Sequence, residues 1–265
     1  MAQKELCKIC KGNSEFSFCK NILGKYAVRY LTCRNCGFMQ TENPYWLKEA
    51  YSSTITNQDI GLVQRNLNLA ELTKKVIIKN FDVTGKFLDW AGGYGLFTRL
   101  MRDKGFDFYH HDPFCQNLFA KGFEKEGGNF EFVTAFEVLE HLENPLESLT
   151  DMFTRSSSII FSEELIPERD IENWWYLAPE HGQHIAFYSK RSLEFIANHF
   201  GAKLISNGNL HAITRDRRNI YIPPTQKTFM MELATKIYNR FNYHILRKPR
   251  LTSLTGRDFR ESRLI

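Results

Sequence analysis

The feature that most constrains the fold is an apolar run that leads into an acidic residue and a glycine-rich loop. It reads Phe87-Leu-Asp-Trp-Ala-Gly-Gly-Tyr-Gly95, and an amphipathic stretch, 96–104, follows directly. Strand, glycine loop and helix in this order make a βα unit, and the glycines let the loop backbone approach a nucleotide-like ligand closely. The stretch therefore predicts one βα unit of an α/β domain with a ligand-binding loop.

The position of the acidic residue indicates which ligand the loop suits. Dinucleotide-binding loops place their glycines first and an acid about 20 residues later, whereas Asp89 precedes the glycines here. A second acid, Asp112, ends the next predicted strand, 106–112, and lies 20 residues after Gly92. A carboxylate ahead of the glycines fits a ligand that presents a cationic amine and a ribose rather than a pyrophosphate.

The cysteines indicate a metal site near the start of the chain. Four of the six form the pairs Cys7-x-x-Cys10 and Cys33-x-x-Cys36, which 22 residues separate. In a reducing compartment, two such pairs at this distance are typical of a zinc ribbon. Four thiolates leave no open coordination position, so we expect a structural Zn²⁺ whose binding supplies folding energy. Redox-active thiols are the alternative.

The remaining pattern predicts four segments and one fold class. The segments are a zinc ribbon at 1–45, a helical connector at 46–85, an α/β core at 86–215, and a helical and basic tail at 216–265 with a helix at 229–245. Within the core, strands are expected at 130–136 and 158–162, a helix at 192–201, and a hairpin around Asn207-Gly208. Together they predict an α/β fold with a mostly parallel sheet and an antiparallel C-terminal edge hairpin, plus the small N-terminal zinc ribbon.

Composition and charge exclude several classes of protein. A hydrophobic content of 43% is enough for a globular core, and a net charge of +5 does not by itself indicate a nucleic-acid partner. No run approaches the roughly 20 apolar residues of a membrane span, and the start of the chain lacks the apolar segment of a signal peptide. We therefore expect a cytoplasmic enzyme without a membrane span or a nucleic-acid partner; the sequence leaves its oligomeric state open.

Several stretches together resemble one known family. They are the glycine loop 88–95, the strand-ending Asp112, the segment Ala135-Phe-Glu-Val-Leu-Glu-His-Leu-Glu-Asn-Pro145, the segment Pro179-Glu-His-Gly-Gln-His-Ile-Ala-Phe-Tyr-Ser189 and the second cysteine pair in 33–41. These stretches are similar to class I S-adenosylmethionine (SAM)-dependent methyltransferases, in the branch with an N-terminal zinc-binding segment. The resemblance covers most of residues 1–215 and implies a Rossmann-like sheet. Many members of that branch act on sugars or other small molecules.

The resemblance implies a set of residues that bind SAM. They are Asp89, Ala91, Gly93, Gly95, Asp112, Phe114, Phe136 and Glu137. Asp89 would accept from the methionine amino group, Asp112 would take the two ribose hydroxyls, and Phe114 would cover the adenine. The chain departs from the family in two places, because Ala91 replaces the first glycine and the span between Asp112 and the strand at 130–136 is too short for a full helix and strand.

The resemblance also implies candidates for the chemical step. Methyl transfer to a hydroxyl needs an aligned nucleophile and a base, and we expect His181 or His184 as the base, with His141 third. The run Glu137-x-x-Glu140-His141 resembles the metal-binding cluster of small-RNA 2′-O-methyltransferases and quinone-pathway O-methyltransferases. It would hold Mg²⁺ or Mn²⁺, with His181 or His184 completing the site; the alternative is that the run only lines the pocket.

We therefore expect a SAM-dependent methyltransferase that O-methylates a sugar or a nucleotide-activated precursor of a surface polysaccharide or glycoside, with a histidine base. C-methylation is a weaker alternative, since C-methylating relatives with this zinc segment usually carry a further C-terminal domain for which we expect 265 residues to leave no room. An RNA or tRNA methyltransferase is another alternative, suggested by the zinc ribbon, the acidic cluster and the basic tail. The last is a non-catalytic scaffold that keeps the fold.

Overall fold

The computed structural model describes residues 5–52, 61–125, 127–217 and 219–225, so the predicted tail helix at 229–245 lies outside the described residues. The helices are α1 (Leu47–Ala50), α2 (Leu62–Asn80), α3 (Leu96–Asp103), α4 (Pro145–Arg155) and α5 (Lys190–His199). The strands are β1 (Ser14–Ile22), β2 (Tyr26–Cys33), β3 (Met39–Thr41), β4 (Lys86–Trp90), β5 (Asp107–His111), β6 (Val133–Ala135), β7 (Ser158–Ser162), β8 (Ala186–Phe187), β9 (Lys203–Asn207) and β10 (Leu210–Thr214). Over these ranges, no helix combines the length and the apolar character needed to cross a membrane.

The larger sheet confirms the predicted fold class. Its order is β5-β4-β6-β7-β10-β9; β4 pairs in parallel with β5 and β6, and β6 in parallel with β7. Strand β10 runs antiparallel to β7 and β9, so the hairpin around Asn207-Gly208 forms the edge as predicted. Both β7 and β10 are buried along their whole length, because helices cover both faces of the sheet. Polar side chains in these strands have partners, as Ser158 and Thr214 have in each other at 2.7 Å.

The helices form one layer on each side of this sheet. Residues of α2 and α3, such as Val76 and Met101, pack with Phe87 on one face. Residues of α4 and α5, such as Leu149 and Ile196, pack with Ile159 on the other. The result is an αβα sandwich in which the strands are aligned by apolar contacts from both sides.

Helix α5 begins two residues before the predicted position because Ser189 caps it. The Ser189 hydroxyl accepts from the Ser192 amide, and the Ser192 hydroxyl accepts from the Ser189 amide in return. This reciprocal pair satisfies two backbone donors that a helix start otherwise leaves without partners. The cap matters for the site, because it also fixes the end of the segment that carries His181 and His184.

The smaller sheet joins the N-terminal residues to the second half of the chain. Its order is β1-β2-β3-β8, all antiparallel, and β8 begins two residues after His184. The N-terminal sheet, by which we mean these four strands, therefore extends beyond residue 45. Between Asp112 and β6, the described residues contain no helix and only one parallel bridge, from Glu124 to His110, in line with the short span noted in the sequence.

Candidate functional site

The loop between β4 and α3 has the backbone conformation that close approach to a ligand requires. Ala91, Gly93 and Gly95 all adopt a positive φ, of 55°, 57° and 81°. Glycine tolerates this region, whereas alanine is strained there, and the Ala91 amide is held by donation to the His111 carbonyl over 2.7 Å. A side chain at Gly95 would collide with the side-chain oxygen of Asn117. The loop therefore has one strained position, at the alanine that replaces the family's glycine.

The two predicted acids lie on either side of this loop. Asp89 is 2% exposed, and its carboxylate accepts hydrogen bonds from the hydroxyls of Thr98 and Thr134 over 3.1 and 3.0 Å. Burial raises the pKa of Asp89 to about 6. Asp112 accepts from the Gly93 amide with one oxygen, over 2.9 Å, and from the amides of the following turn with the other. Asp112 therefore holds the loop directly, whereas Asp89 is fixed by the helix that follows the loop and by the neighbouring strand β6.

A cavity of about 530 Å³ opens beside Asp112 at the carboxyl end of β5. Its lining includes His110, His111, Asn117 and Lys121. Phe114, predicted to cover an adenine, is 96% exposed; its chain neighbours Pro113 and Cys115 line the cavity. Phe136 packs edge-on against Phe97 at 4.9 Å, which places it under the helix that follows the loop.

Glu137 occupies a strained position directly after β6. Its φ is 56°, and the hydroxyl of Ser162 both accepts from its amide and donates to its carboxylate, over 2.8 and 2.7 Å. The other carboxylate oxygen lies 3.4 Å from the Arg65 Nε. A non-glycine residue persists in this conformation only where neighbours hold it. Here the neighbours are Ser162 and Arg65, and the turn that they hold leads into the segment that carries Glu140 and His141.

Glu140, His141 and His184 form a compact polar group beyond the ends of β6 and β7. Each offers one ligand atom, and these atoms all lie within 4.8 Å of one another. Glu140 is fully buried; one carboxylate oxygen accepts from the Tyr176 hydroxyl over 2.8 Å, and the other has no hydrogen-bond partner. Burial, and then repulsion from Glu137, raises the pKa of Glu140 to about 8.

The hydrogen bonds of the two imidazoles assign their tautomers. His184 Nδ1 lies 2.6 Å from the Tyr176 carbonyl and His141 Nδ1 lies 3.0 Å from the Gln183 carbonyl. A carbonyl only accepts, so each Nδ1 carries the hydrogen and each Nε2 is the acceptor nitrogen when the ring is neutral. The Tyr51 hydroxyl also lies 3.1 Å from His141 Nδ1, where it can accept the same hydrogen. Both Nε2 atoms lie 4.0 Å from the same Glu140 oxygen. Burial lowers the pKa of His184 well below its usual value, which keeps this ring neutral.

The structure brings together some of the predicted residues and separates others. His141 and His184 join Glu140 in one group, whereas the Glu137 carboxylate is held by Ser162 and Arg65. His181 accepts from the Gln183 amide at Nδ1 over 3.1 Å, and its ring stands 4.9 Å from that of His184. His181 therefore lies beside the Glu140, His141 and His184 group, but none of its atoms is among the ligand atoms that converge there.

Sequence reasoning missed Glu163 and Gln183. Glu163 follows β7, is 1% exposed, and neither of its carboxylate oxygens has a hydrogen-bond partner. Burial and the neighbouring carboxylates, Glu140 foremost among them, raise its pKa well above the usual range. The sequence did contain a signal for Glu163, because this residue directly follows the predicted strand at 158–162. In α/β proteins, ligand-binding residues lie at the carboxyl ends of such strands. Gln183 gave no such signal.

The four paired cysteines converge as the spacing predicts. Their sulfur atoms lie within 4.8 Å of one another, with Cys7 and Cys36 at 3.5 Å and Cys10 and Cys33 at 3.4 Å. Tetrahedral Zn²⁺ with bonds of about 2.3 Å requires sulfurs about 3.8 Å apart, so the donor set fits this ion. Hydrogen bonding between Cys7 and Cys36 lowers the pKa of Cys7 and raises that of Cys36, so the two thiols share one proton more readily than they hold two.

The sheet order, the glycine loop after the first parallel strand and the acid after the second define a class I methyltransferase fold. Residues 62–207 match the family model described as a methyltransferase domain, more than half of the chain. The chain therefore belongs to this family, within the SAM-dependent methyltransferases.

Solved structures with a similar fold are distant in sequence. An N1-methyltransferase of 1,6-didemethyltoxoflavin from Burkholderia thailandensis is 10% identical with a TM-score of 0.46, over 75% of this chain and 97% of that one. Magnesium protoporphyrin IX methyltransferase from Synechocystis is 12% identical with a TM-score of 0.44, over 64% and 93%. CalO1, a methyltransferase of calicheamicin biosynthesis, is 13% identical with a TM-score of 0.43; the match spans 58% of this chain and about half, 54%, of CalO1. No curated protein matches the chain.

Proposed function

We propose that this protein O-methylates a small hydroxyl-bearing acceptor, with SAM as the methyl donor and a histidine as the base. The observation that carries the proposal is the pair of imidazole Nε2 lone pairs that converge on Glu140 at the carboxyl ends of β6 and β7. A sugar or a nucleotide-activated precursor of a surface polysaccharide or glycoside is the acceptor class that we infer, acting in the cytoplasm. The two Cys-x-x-Cys pairs, whose sulfur atoms converge as a zinc site would require, support that compartment.

The residues around the glycine loop would bind the donor. The Asp112 carboxylate, already fixed by the Gly93 amide, would accept from the ribose hydroxyls. Asp89, held by two threonine hydroxyls, would favour the cationic methionine amine close to the loop. SAM brings a methyl group that is already activated as a sulfonium, so the protein has mainly to align the nucleophile and remove its proton.

His184 is the residue best placed to take that proton. Its Nδ1–H stays on the Tyr176 carbonyl while Nε2 receives the hydroxyl proton, so the ring keeps its orientation as it becomes charged. The low pKa of His184 keeps Nε2 free at neutral pH. His141 has the same tautomer, and its ring stands 5.0 Å from that of His184, where it can orient the acceptor hydroxyl.

The same group fits a divalent cation. Glu140, His141 and His184 would hold it, because their ligand atoms lie within 4.8 Å of one another and each Nδ1–H lies against a backbone carbonyl, as in histidines that bind metals. Mg²⁺ or Mn²⁺ bound there would lower the pKa of an acceptor hydroxyl. In the N-terminal sheet, the four thiols would hold a structural Zn²⁺.

Turnover of labelled SAM with a panel of nucleotide sugars and phosphorylated sugars tests the acceptor class. We expect transfer to at least one of them, and a loss of turnover in His184→Ala while calorimetry shows unchanged SAM affinity. His199→Ala is the matched control, because His199 is an exposed residue near the end of α5. Transfer to RNA but to no small acceptor would replace our proposal with an RNA methyltransferase, and full turnover in His184→Ala would reject this base.

Two metal measurements test the ions separately. Elemental analysis should find about one zinc per chain, lost in Cys33→Ser and retained in Cys19→Ser, whose thiol is exposed and outside the cluster. Turnover after dialysis against EDTA, with zinc content confirmed, tests the second ion. Activity that survives this treatment and does not respond to added Mg²⁺ or Mn²⁺ would leave His184 as the base without a metal.

A further inference from the structure

The segment that carries His181 and His184 lies between two parts of the chain that are distant in sequence. We call residues 178–185 the histidine loop. One side of the loop contacts the N-terminal sheet and the residues that follow β3, and the other contacts the turn at Leu139–His141. The position of the imidazoles therefore depends on residues more than 90 positions earlier in the chain.

Two side chains make the contacts on the N-terminal side. The Trp46 indole N–H donates to the Gly182 carbonyl over 2.8 Å. The Gln183 side-chain amide donates to the Ala50 carbonyl, at the end of α1, over 2.9 Å. Trp46 is 2% exposed and Gln183 is 6% exposed, so neither bond is open to exchange with water, and the loss of either donor would leave a buried carbonyl without its partner.

Backbone hydrogen bonds continue the same contact at both ends of the loop. The Leu23 amide donates to the Pro179 carbonyl over 2.9 Å, and the Thr41 amide donates to the Ile185 carbonyl over 3.0 Å. Beyond Ile185, β8 pairs with β3. The histidine loop thus runs along the edge of the N-terminal sheet and is anchored to it before and after His184.

The other side of the loop holds the site. The Gln183 carbonyl accepts the His141 Nδ1–H over 3.0 Å, and the Ile185 amide donates to the Glu140 carbonyl over 2.8 Å. Gln183 therefore links the two sides of the loop. Its side chain is hydrogen-bonded to Ala50, and its backbone carbonyl is hydrogen-bonded to the imidazole of His141. A shift of Gln183 would remove the carbonyl from His141 Nδ1 and leave the Tyr51 hydroxyl, 3.1 Å from the same atom, which can donate as well as accept.

We propose that Trp46 and Gln183 are positioning residues of the acceptor site, which fix the histidine loop so that the Gln183 carbonyl keeps His141 Nε2 directed at Glu140. The N-terminal residues are then part of the acceptor site rather than a separate appendage. The kinetic consequence rests on the proposed function, whereas the effect on the His141 tautomer follows from the structure alone. A small displacement of such groups is enough to reduce turnover strongly.

The test uses two conservative variants of the full chain. Trp46→Phe keeps an aromatic ring but removes the indole donor and some ring volume, and Gln183→Met keeps the side-chain length and removes the amide. We expect ¹⁵N spectra of histidine-labelled protein at fixed pH to show His141 changing from the Nδ1–H tautomer to a mixture. Assignment comes from the signal that disappears in His141→Asn. We also expect kcat to fall by about 10-fold or more while the SAM dissociation constant stays within about 2-fold.

Each variant has a matched control that loses a similar bond elsewhere. Trp90→Phe removes an indole donor whose 2.8 Å bond goes to Asp151 on α4, and it should leave the His141 signal unchanged. Asn207→Leu removes an amide donor whose 3.0 Å bond goes to the Ile222 carbonyl, and it should leave both the signal and kcat unchanged. Circular dichroism and melting temperature show whether each variant is folded.

The possible outcomes separate this inference from the proposed function. If folded Trp46→Phe and Gln183→Met keep the wild-type His141 signal, the positioning role is wrong, whatever their activity. If the signal changes while no acceptor is methylated by the wild-type protein, the positioning role stands and the proposed function fails. A change of equal size in Asn207→Leu would also overturn the inference, because the effect would then be a general response to lost packing.

Discussion

The cofactor side and the acceptor side of the site are built in different ways. The cofactor side comes from one βα unit and the end of the next strand, so Asp89, the glycine loop and Asp112 lie within 24 consecutive residues. The acceptor side gathers Trp46, Glu140, Tyr176 and His184 from segments spread over more than half of the chain. The geometry of the cofactor side therefore depends on local sequence, and the geometry of the acceptor side depends on which distant segments pack together.

The first prediction concerns the cofactor side, where one local residue should account for a large share of binding. Asp112→Ala removes the carboxylate that holds the Gly93 amide and would accept from the ribose. Charged hydrogen bonds of this kind contribute a few kcal/mol, so we expect SAM affinity to fall about 100-fold by calorimetry. Asp103→Ala, which loses an exposed pair with Arg99 on the neighbouring helix, is the control.

The His141 signal should stay unchanged in Asp112→Ala, because the acceptor side does not depend on this loop. A loss of the signal would show that the two sides fold as one unit. Unchanged SAM affinity would instead mean that Asp112 only caps its own turn, through the amides of Phe114 and Cys115.

This difference also explains how much could be read from the sequence. The fold class, the edge hairpin and the convergence of the four cysteines followed from periodicity and spacing, which are local signals. The pairing of His141 with His184 was only one of several arrangements that the sequence allowed. This pairing depends on β8, which joins the N-terminal sheet. Because β8 is only two residues long, the sequence has no periodic pattern there that would predict a strand.

The second prediction tests how tightly the acceptor side is packed. Gly182 has a φ of 66°, and a Cβ there would lie 2.6 Å from Ile22 and 3.3 Å from the Trp46 ring. Gly182→Ala therefore adds steric overlap to backbone strain, and we expect about 3 kcal/mol of destabilisation in denaturant unfolding. Gly24→Ala is the control, since its φ is 71° and no atom lies within 4 Å. It should cost about 1 kcal/mol, and equal costs would contradict the close contact.

The third prediction is a pH dependence confined to the cofactor side. The buried Asp89 has its pKa raised from 3.8 to about 6, so between these values the folded protein binds a proton that the unfolded chain has lost. The stabilisation from this proton is complete below pH 3.8 and is lost as the pH rises through about 6. Because the cationic amine of SAM favours ionised Asp89, affinity should be about 10-fold weaker at pH 5 than at pH 7.

Calorimetry of SAM binding between pH 5 and pH 7 measures this dependence. Asp89→Asn cannot ionise and should bind more weakly, with a flat profile over the same range. If the wild-type profile is flat as well, Asp89 stabilises the loop without sensing the charge of the ligand.

The last and smallest effect compares one substitution on both sides of the site. Ala91 in the glycine loop and Ala178 at the start of the histidine loop both have a positive φ, of 55° and 43°. Glycine relieves strain of about 1–2 kcal/mol in this region but costs about 0.5–1 kcal/mol in the unfolded chain, so each variant should gain about 0.5 kcal/mol in unfolding experiments.

Ala91→Gly should keep SAM affinity within about 2-fold, since the loop would then match the family pattern. The Ala178 carbonyl accepts from the amides of His181 and Gly182. Because glycine gives the backbone more freedom at this position, Ala178→Gly should make the histidine loop more mobile and broaden the His141 signal. A 10-fold loss of SAM affinity in Ala91→Gly would show that the alanine methyl group contacts the cofactor, and the cofactor side would then depart from its family at the position where the sequence does.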